Sequence, residues 1–222
     1  MAQRAELAAA GAEVTVVGLG RMGTALAQAL LAGGRTVAVW NRDATKAAPL
    51  AAAGAHVCAS LDDAVRASDC IVVCVTRYAT WTQLANGLPR GALDGRIVVQ
   101  LSNGAPDEAT ALRDVHTRLG AVSLDGSILG WPSQVGSPKF PITVSGDAQA
   151  FARVAPVLAP LGDVQFVGDD ISTSSGLEAA LVFFTNASLV CYLQSAALLR
   201  AAGAPHAEFA KRLGAALRPA HG

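Results

Sequence analysis

The chain has 222 residues, with 17 Lys plus Arg set against 17 Asp plus Glu, and hydrophobic residues make up 52% of it. That length can bury the core of one domain, or of one domain with an appendage. Balanced charge with no run of like sign lacks the electrostatic footprint of a nucleic-acid or anionic-membrane binder, which leaves a small-molecule substrate or cofactor as the partner class.

The N-terminal residues, Met1 to Gly11, are alanine-rich and place Arg4 and Glu6 where a signal peptide needs an uninterrupted apolar core, so they read as a frayed leader without an address. Apolar, strand-like runs follow at Glu13–Gly18, Thr36–Trp40, His56–Cys58, Cys70–Val75, Arg96–Leu101 and Ala121–Leu124. Helical patterns alternate with them at Met22–Ala32, Ala44–Ala53, Leu61–Ala67, Tyr78–Leu88 and Asp107–Leu119. This order predicts an α/β fold, a doubly wound Rossmann-type parallel sheet with right-handed crossovers.

At Asp125 the texture changes, because "DGSILGWPSQVGSPKFP" carries three glycines and three prolines and reads as a loop. A strand at Ile142–Ser145, a helix from Ala148 to Leu161 and a strand at Val164–Val167 follow. From about Ser172 the chain reads as helix, broken at Gly203-Ala204-Pro205. The domain expectation is therefore a nucleotide-binding domain over 1–170, then a long interdomain helix and a short, truncated all-helical segment over 171–222.

Ala179 to Leu199 has no charged residue and reaches the ~20 residues that span a bilayer. Thr185, Asn186, Ser188, Gln194 and Ser195 interrupt it, so it reads as a buried helix of a protein outside the membrane. Cys58, Cys70, Cys74 and Cys191 lack metal-ligand spacing, and three of the four lie in apolar stretches that read as buried. No metal is expected, and a reducing, cytoplasmic setting suits free thiols.

The chemistry-bearing motif is "GLGRMG", Gly18-x-Gly20-x-x-Gly23, which ends a strand and opens a helix. Gly18 permits the tight turn, Gly20 lets backbone approach a pyrophosphate, and Gly23 lets helix and strand pack closely. Free N–H groups at the helix start, from Leu19 through Met22, then hold phosphates with Arg21 nearby. The second strand ends not in an acid but in Asn41 and Arg42, with Lys46 following. Arg42 and Lys46 suit a 2′-phosphate, so NADP(H) is favoured over NAD(H). Alternatively both cations are solvated and Asp43 caps the next helix.

With these segments the chain resembles the β-hydroxyacid dehydrogenase superfamily, whose nucleotide domain is of the 6-phosphogluconate dehydrogenase type, and within it the imine reductases. The resemblance is carried by "VVGLGRMGTALAQALLAGG", "VWNRDATKAAPLAAAGA", "LSNGAPDEA", "DGSILGWPSQVGSPKFPITVSG" and "LQSAALLRAAGAPHAEFAKRL". It implies that Asn41, Arg42 and Lys46 hold the 2′-phosphate and that Val75, Thr76 and Ser102 line the nicotinamide half. Asp43 stands where the family usually has Ser or Thr.

The superfamily's dehydrogenases place a catalytic lysine on the long helix after the nucleotide domain, whereas this chain has no lysine between Lys139 and Lys211. Imine reductases carry Asp or Tyr there, and the resemblance puts Glu178 at that position. A carboxyl group suits C=N reduction, in which the nitrogen needs a proton or an anionic partner. Ser175-Gly176-Leu177-Glu178 also fits a capping box, which would make Glu178 a helix cap instead. Tyr78, Trp131, Phe183, Phe184 and Tyr192 are core or pocket aromatics. The resemblance further implies a helical domain shared between two subunits as a homodimer, although this sequence ends soon after "FAKRL". Three readings follow: an NADPH-dependent imine reductase, a hydroxyacid dehydrogenase, and a nucleotide-binding paralogue without turnover.

Overall fold

A computed structural model describes residues 11–216; most of the alanine-rich leader and the last residues of the chain lie outside that range. Two compact units divide at Glu178/Ala179. The first is an eight-stranded sheet with helices on both faces. Strands β1 (Val14–Val17), β2 (Val37–Trp40), β3 (His56–Val57), β4 (Cys70–Val73), β5 (Ile97–Gln100), β6 (Val122–Ile128), β7 (Pro141–Gly146) and β8 (Asp163–Gly168) run in the order β3-β2-β1-β4-β5-β6-β7-β8. All neighbours are parallel except β6 and β7. The order reverses between β1 and β4, the switch point where an open α/β sheet forms its ligand crevice.

Both faces of the central strands are buried, so they read as unbroken apolar runs rather than alternating ones. Val16, Val72 and Val99 face one way, against α1 (Arg21–Ala32) and α6 (Ala148–Leu158), whose Leu26, Leu30 and Leu158 complete that core. Val17, Val73 and Val98 face the other way, against α4 (Tyr78–Asn86) and α5 (Pro106–Arg118), where Trp81 and Leu112 close the layer. α2 (Ala48–Ala52) and α3 (Leu61–Arg66) flank the β2–β3 edge, α3 entered through a Ser60–Asp63 capping box.

Two sequence expectations are corrected. The single helix expected over Ala44–Ala53 is a 3-10 turn, Ala44–Ala47, followed by the short α2 with Pro49 in its first turn. Proline lacks the N–H that a continuous helix would need there. The loop expected from Asp125 is strand up to Ile128, and only residues 129–140 are irregular, with a 3-10 turn at Pro132–Gln134. Gly126 belongs to the strand because a Cβ on it would stand 2.6 Å from Leu101 and 2.9 Å from the Thr143 carbonyl oxygen. Asp125 and Ser127 are buried because later residues supply their hydrogen-bond partners, which local sequence does not show.

α7 (Thr173–Ala201) begins in the first unit and continues through the second; α8 (His206–Ala216) follows the break at Gly203-Ala204-Pro205. In the second unit the Tyr192 hydroxyl lies 3.0 Å from His206 Nε2. Phe183 and Phe184 are 76% and 69% exposed and Cys191 is exposed, where the sequence suggested burial. α7 is long and apolar enough to cross a membrane by length and composition.

Candidate functional site

The glycine loop between β1 and α1 shows three glycines with three different reasons. Gly18 has φ +96, and a Cβ there would lie 2.4 Å from the Cys74 carbonyl oxygen. A Cβ on Gly23 would lie 1.9 Å from the Gly18 carbonyl oxygen, so helix and turn touch only because it is absent. Around Gly20 nothing stands within 4 Å of that position. Gly20 is therefore not needed for packing, and its bare backbone faces open space that a dinucleotide's phosphates can approach. Gly20 is also the N-cap of α1, with no side chain capping the helix, so its first N–H groups remain available to an anion.

A cleft runs from this loop along the C-terminal ends of the strands. Its first half is walled by Gly18, Gly20, Arg21, Arg42, Lys46 and Thr80 among others. Its second half brings together Ser102, Asn103, Ile128, Trp131 and Glu178. Arg21, Met22, Cys74, Val75 and Thr76 line both halves.

Most of the expected site residues thus converge, and two have a different job. Leu19 turns its side chain into the core, and its N–H is taken by Asn41 Oδ1 at 2.9 Å. Asn41 Nδ2 donates to the Asp43 carbonyl oxygen at 2.9 Å, so this amide ties the end of β2 to the glycine loop. Ser102 Oγ accepts the Val75 N–H at 2.9 Å and fixes the β4 and β5 ends together. Asp43, the departure from the family pattern, accepts from the Thr45 hydroxyl at 2.6 Å and the Thr45 N–H at 3.1 Å. Those bonds hold its carboxyl below the usual carboxylate range. Arg42 and Lys46 make no ion pair among the described residues.

Glu178 is resolved by where α7 starts. The helix begins at Thr173, so Glu178 lies in its second turn and is not the partner of a Ser175 cap. Ser175 Oγ instead donates to the Ser172 carbonyl oxygen at 3.1 Å. Four side chains of β6 and β7 seat the first turn. Ser145 Oγ accepts the Ser174 N–H at 3.0 Å, Ser127 Oγ donates to the Ser174 carbonyl at 3.2 Å, Thr143 Oγ1 lies 2.8 Å from Ser174 Oγ, and Asp125 accepts the Ser175 N–H at 3.2 Å. Glu178 is half-buried, and desolvation by that burial raises its pKa.

Asn103, Ile128 and Trp131 complete the second half of the cleft; sequence reading did not assign Asn103 or Ile128 to the site. Asn103 follows Ser102 at the end of a strand beside the switch point, a position that the general crevice rule marks. Ile128 lay inside the stretch read as loop. Among the described residues no group of three or more His, Cys, Asp or Glu is placed to hold a metal ion.

Glycine loop, cation pair and switch-point cleft together define a dinucleotide-binding α/β domain. Residues 13–168 match the family model of the NAD binding domain of 6-phosphogluconate dehydrogenase. The chain is 32% identical over 191 residues to the NADPH-dependent reductive aminase of Aspergillus oryzae, an alignment spanning 84% of this chain and 63% of that protein. An imine reductase from Aspergillus terreus, solved in complex with NADPH4, superposes with TM-score 0.86 at 35% identity, covering 93% of this chain and 72% of that one. An imine reductase from Myxococcus stipitatus in complex with NADP+ gives TM-score 0.79 at 36% identity, covering 91% and 71%. The chain therefore belongs to the 6-phosphogluconate dehydrogenase-type NAD-binding family, as an imine reductase-like member of the β-hydroxyacid dehydrogenase superfamily.

Proposed function

We propose that the chain is an NADPH-dependent oxidoreductase that reduces the C=N bond of a cyclic imine or iminium ion. The observation that carries this reading is a pair of adjoining pockets that share Arg21, Met22, Cys74, Val75 and Thr76, one walled by the uncapped glycine loop and the other by the half-buried carboxyl of Glu178. The open space at Gly20 fits a pyrophosphate, and the unpaired Arg42 and Lys46 fit a 2′-phosphate. Arg42 offers planar hydrogen bonding and Lys46 a point charge, while Asp43 is already occupied by Thr45.

A reduced nicotinamide bound in the second half would supply hydride. Val75, Thr76 and Ser102 would then hold its ring side of the cleft, with the Val75 N–H to Ser102 bond keeping that wall rigid. Glu178 meets the nitrogen. Ionised, its carboxylate stabilises an iminium cation; protonated, which its raised pKa favours, it hands a proton to an imine nitrogen. The absence of a lysine from 140 to 210 disfavours oxidation of a hydroxyacid by the superfamily's lysine route.

The chain spans 63% of the length of the reductive aminase that it matches, so turnover, substrate and assembly belong to this proposal. In it, residues 1–170 form the NADP-binding domain, and residues 171–222 form an interdomain helix with the start of a helical segment through which two copies pair. The exposed apolar side chains of α7, Phe183, Phe184 and Leu198 among them, support a protein partner for that helix, and the setting proposed is cytoplasmic. NADPH and NADH titrations followed by fluorescence, then addition of 1-pyrroline with the reduced cofactor's absorbance monitored, test the reading. Tight NADPH binding with oxidation supports it. Tight binding without oxidation across a panel of cyclic imines favours the nucleotide-binding paralogue.

A further inference from the structure

Beneath the second half of the cleft lies a buried pair that the proposed reaction does not use. The Tyr78 hydroxyl donates a hydrogen bond to Asp125 Oδ1, and both residues are 2% exposed. Each end of this pair touches a different wall of the cleft. Tyr78 opens α4, three residues after Val75. Its ring lies directly against Gly104, where a Cβ would stand 2.7 Å from the aromatic carbons, so it supports the loop that carries Ser102 and Asn103. Asp125 Oδ2 accepts the Ser175 N–H at 3.2 Å. Ser175 and Glu178 are three apart on one helix and so share a face.

We propose that Asp125, clamped by Tyr78, is the positioning residue for Glu178, setting the rotation of the first turns of α7 so that the Glu178 carboxyl meets the Asn103 side of the cleft. The role rests on the functional reading above only for its consequence in turnover; the geometry itself is independent of it. A neutral residue would not serve equally. Ser175 N–H and Tyr78 O–H are both donors, so the group between them must accept twice, which an ionised carboxylate does with one oxygen for each. The bond to the helix N–H is then charge-assisted, and the negative charge lies near the positive end of the α7 dipole.

The device responds to pH. Burial pushes Asp125 up to about 6, against the hydrogen bonds from Tyr78 and Ser175, and the charge of Glu178 raises it further. The titratable groups facing the pair are Glu178 from α7 and, on the Tyr78 side, Glu108 from α5. As pH falls through that range Asp125 accepts a proton, and the Glu178 carboxyl beside it is likewise raised by burial. The clamp then loses one acceptor.

The test uses the full chain and two readouts, one free of activity. Carbon-13 titration of the Glu178 carboxyl should show, besides its own titration, an inflection near pH 6 that reports Asp125. Asp125→Asn should abolish that inflection, and Tyr78→Phe should move it upward because a pKa-lowering hydrogen bond is lost. With 1-pyrroline, Asp125→Asn should lower kcat on the order of 10- to 100-fold, the scale of a misplaced catalytic group, with NADPH affinity changed less than about twofold, a margin well under the tenfold that 1.4 kcal/mol would produce. An inflection that persists in Asp125→Asn, or does not move in Tyr78→Phe, overturns the proposal, as does a kcat and pH profile that stay at wild type while only Tm falls. If Asp125→Asn does not fold, Tyr78→Phe alone decides by the direction of its shift. A wild-type chain that shows the inflection but reduces no imine removes the functional reading and leaves the positioning role standing.

Discussion

Trp81 donates its indole N–H to His116 Nε2 at 2.6 Å, in the layer between the sheet and helices α4 and α5, where both residues are 0% exposed. Indole is a donor only, so Nε2 must be the bare nitrogen, and the proton sits on Nδ1, which lies 2.8 Å from Ser123 Oγ. Trp81 thus fixes the tautomer, and the histidine is held neutral, its pKa lowered to about 4 by burial.

This arrangement makes stability depend on pH with a definite sign. The folded pKa lies below the unfolded value of 6.5, so the unfolded chain binds the extra proton first. The contribution is present in full above pH 6.5 and is lost as pH falls toward 4, amounting to on the order of 3 kcal/mol at the low end. Urea unfolding at pH 7.5 and pH 5 should show the loss in the wild-type chain. His116→Gln should be less stable at pH 7.5 but should flatten the difference. An equally steep fall in the variant would assign the acid sensitivity elsewhere.

Gly20 and Gly23 should separate binding from folding. With nothing within 4 Å of its Cβ position and φ −70, Gly20→Ala should fold with Tm unchanged and lose NADPH affinity, since the methyl group enters the space the phosphates need. Gly23→Ala drives a Cβ to 1.9 Å from the Gly18 carbonyl oxygen and should cost about 1–3 kcal/mol of stability. Thermal melts with and without NADPH read both. A stable Gly20→Ala that still binds NADPH tightly would move the pyrophosphate off this loop.

Arg42→Ala should weaken NADPH by about tenfold or more while leaving NADH within about twofold, the loss of one charge-assisted contact being worth roughly 1.5–3 kcal/mol. Parallel fluorescence titrations decide it. Equal losses for the two cofactors would take Arg42 away from the 2′-phosphate.

What could be read from sequence divides along a physical line. The glycine loop, the alternation of strand and helix as far as β5 and the break at Gly203 were legible because each is set by residues close in the chain: a period, a φ above zero, a proline. The extension of β6 through Ile128 was not, since Asp125 and Ser127 look like loop residues until Tyr78, Ser174 and Ser175 satisfy them from 47 to 50 positions away. The resemblance brought Asn41 to the site but could not show that its amide is spent on Leu19 and Asp43. Glu178 was ambiguous for a related reason. Whether it caps or faces the cleft depends on where α7 begins, and that is fixed by Ser145 and Asp125, on strands far back in the sequence.

Gln100 offers the reverse kind of prediction. It is the register partner of Asp125 on β5, 1% exposed, and neither its amide nitrogen nor its amide oxygen has a hydrogen-bond partner. Such a group pays desolvation without return, and Gln100→Met, which keeps length and volume, should raise stability by about 1–3 kcal/mol. Chemical denaturation checks it. A loss of stability instead would show that the amide is satisfied in solution.

Glu178→Gln closes the argument about the cleft. Glutamine keeps the size and shape of the side chain, so folding and NADPH affinity should stay near wild type. It can neither carry a proton to nitrogen nor balance the charge of an iminium ion, and loss of general-acid function alone is worth about 10²–10⁴ in rate. With 1-pyrroline, kcat should fall by that order while the NADPH titration superposes on wild type. An unchanged kcat would leave Glu178 as a wall of the cleft and shift the proton's source to solvent or substrate. A lowered Tm with unchanged kcat would restore the helix-terminus role that the early start of α7 argues against.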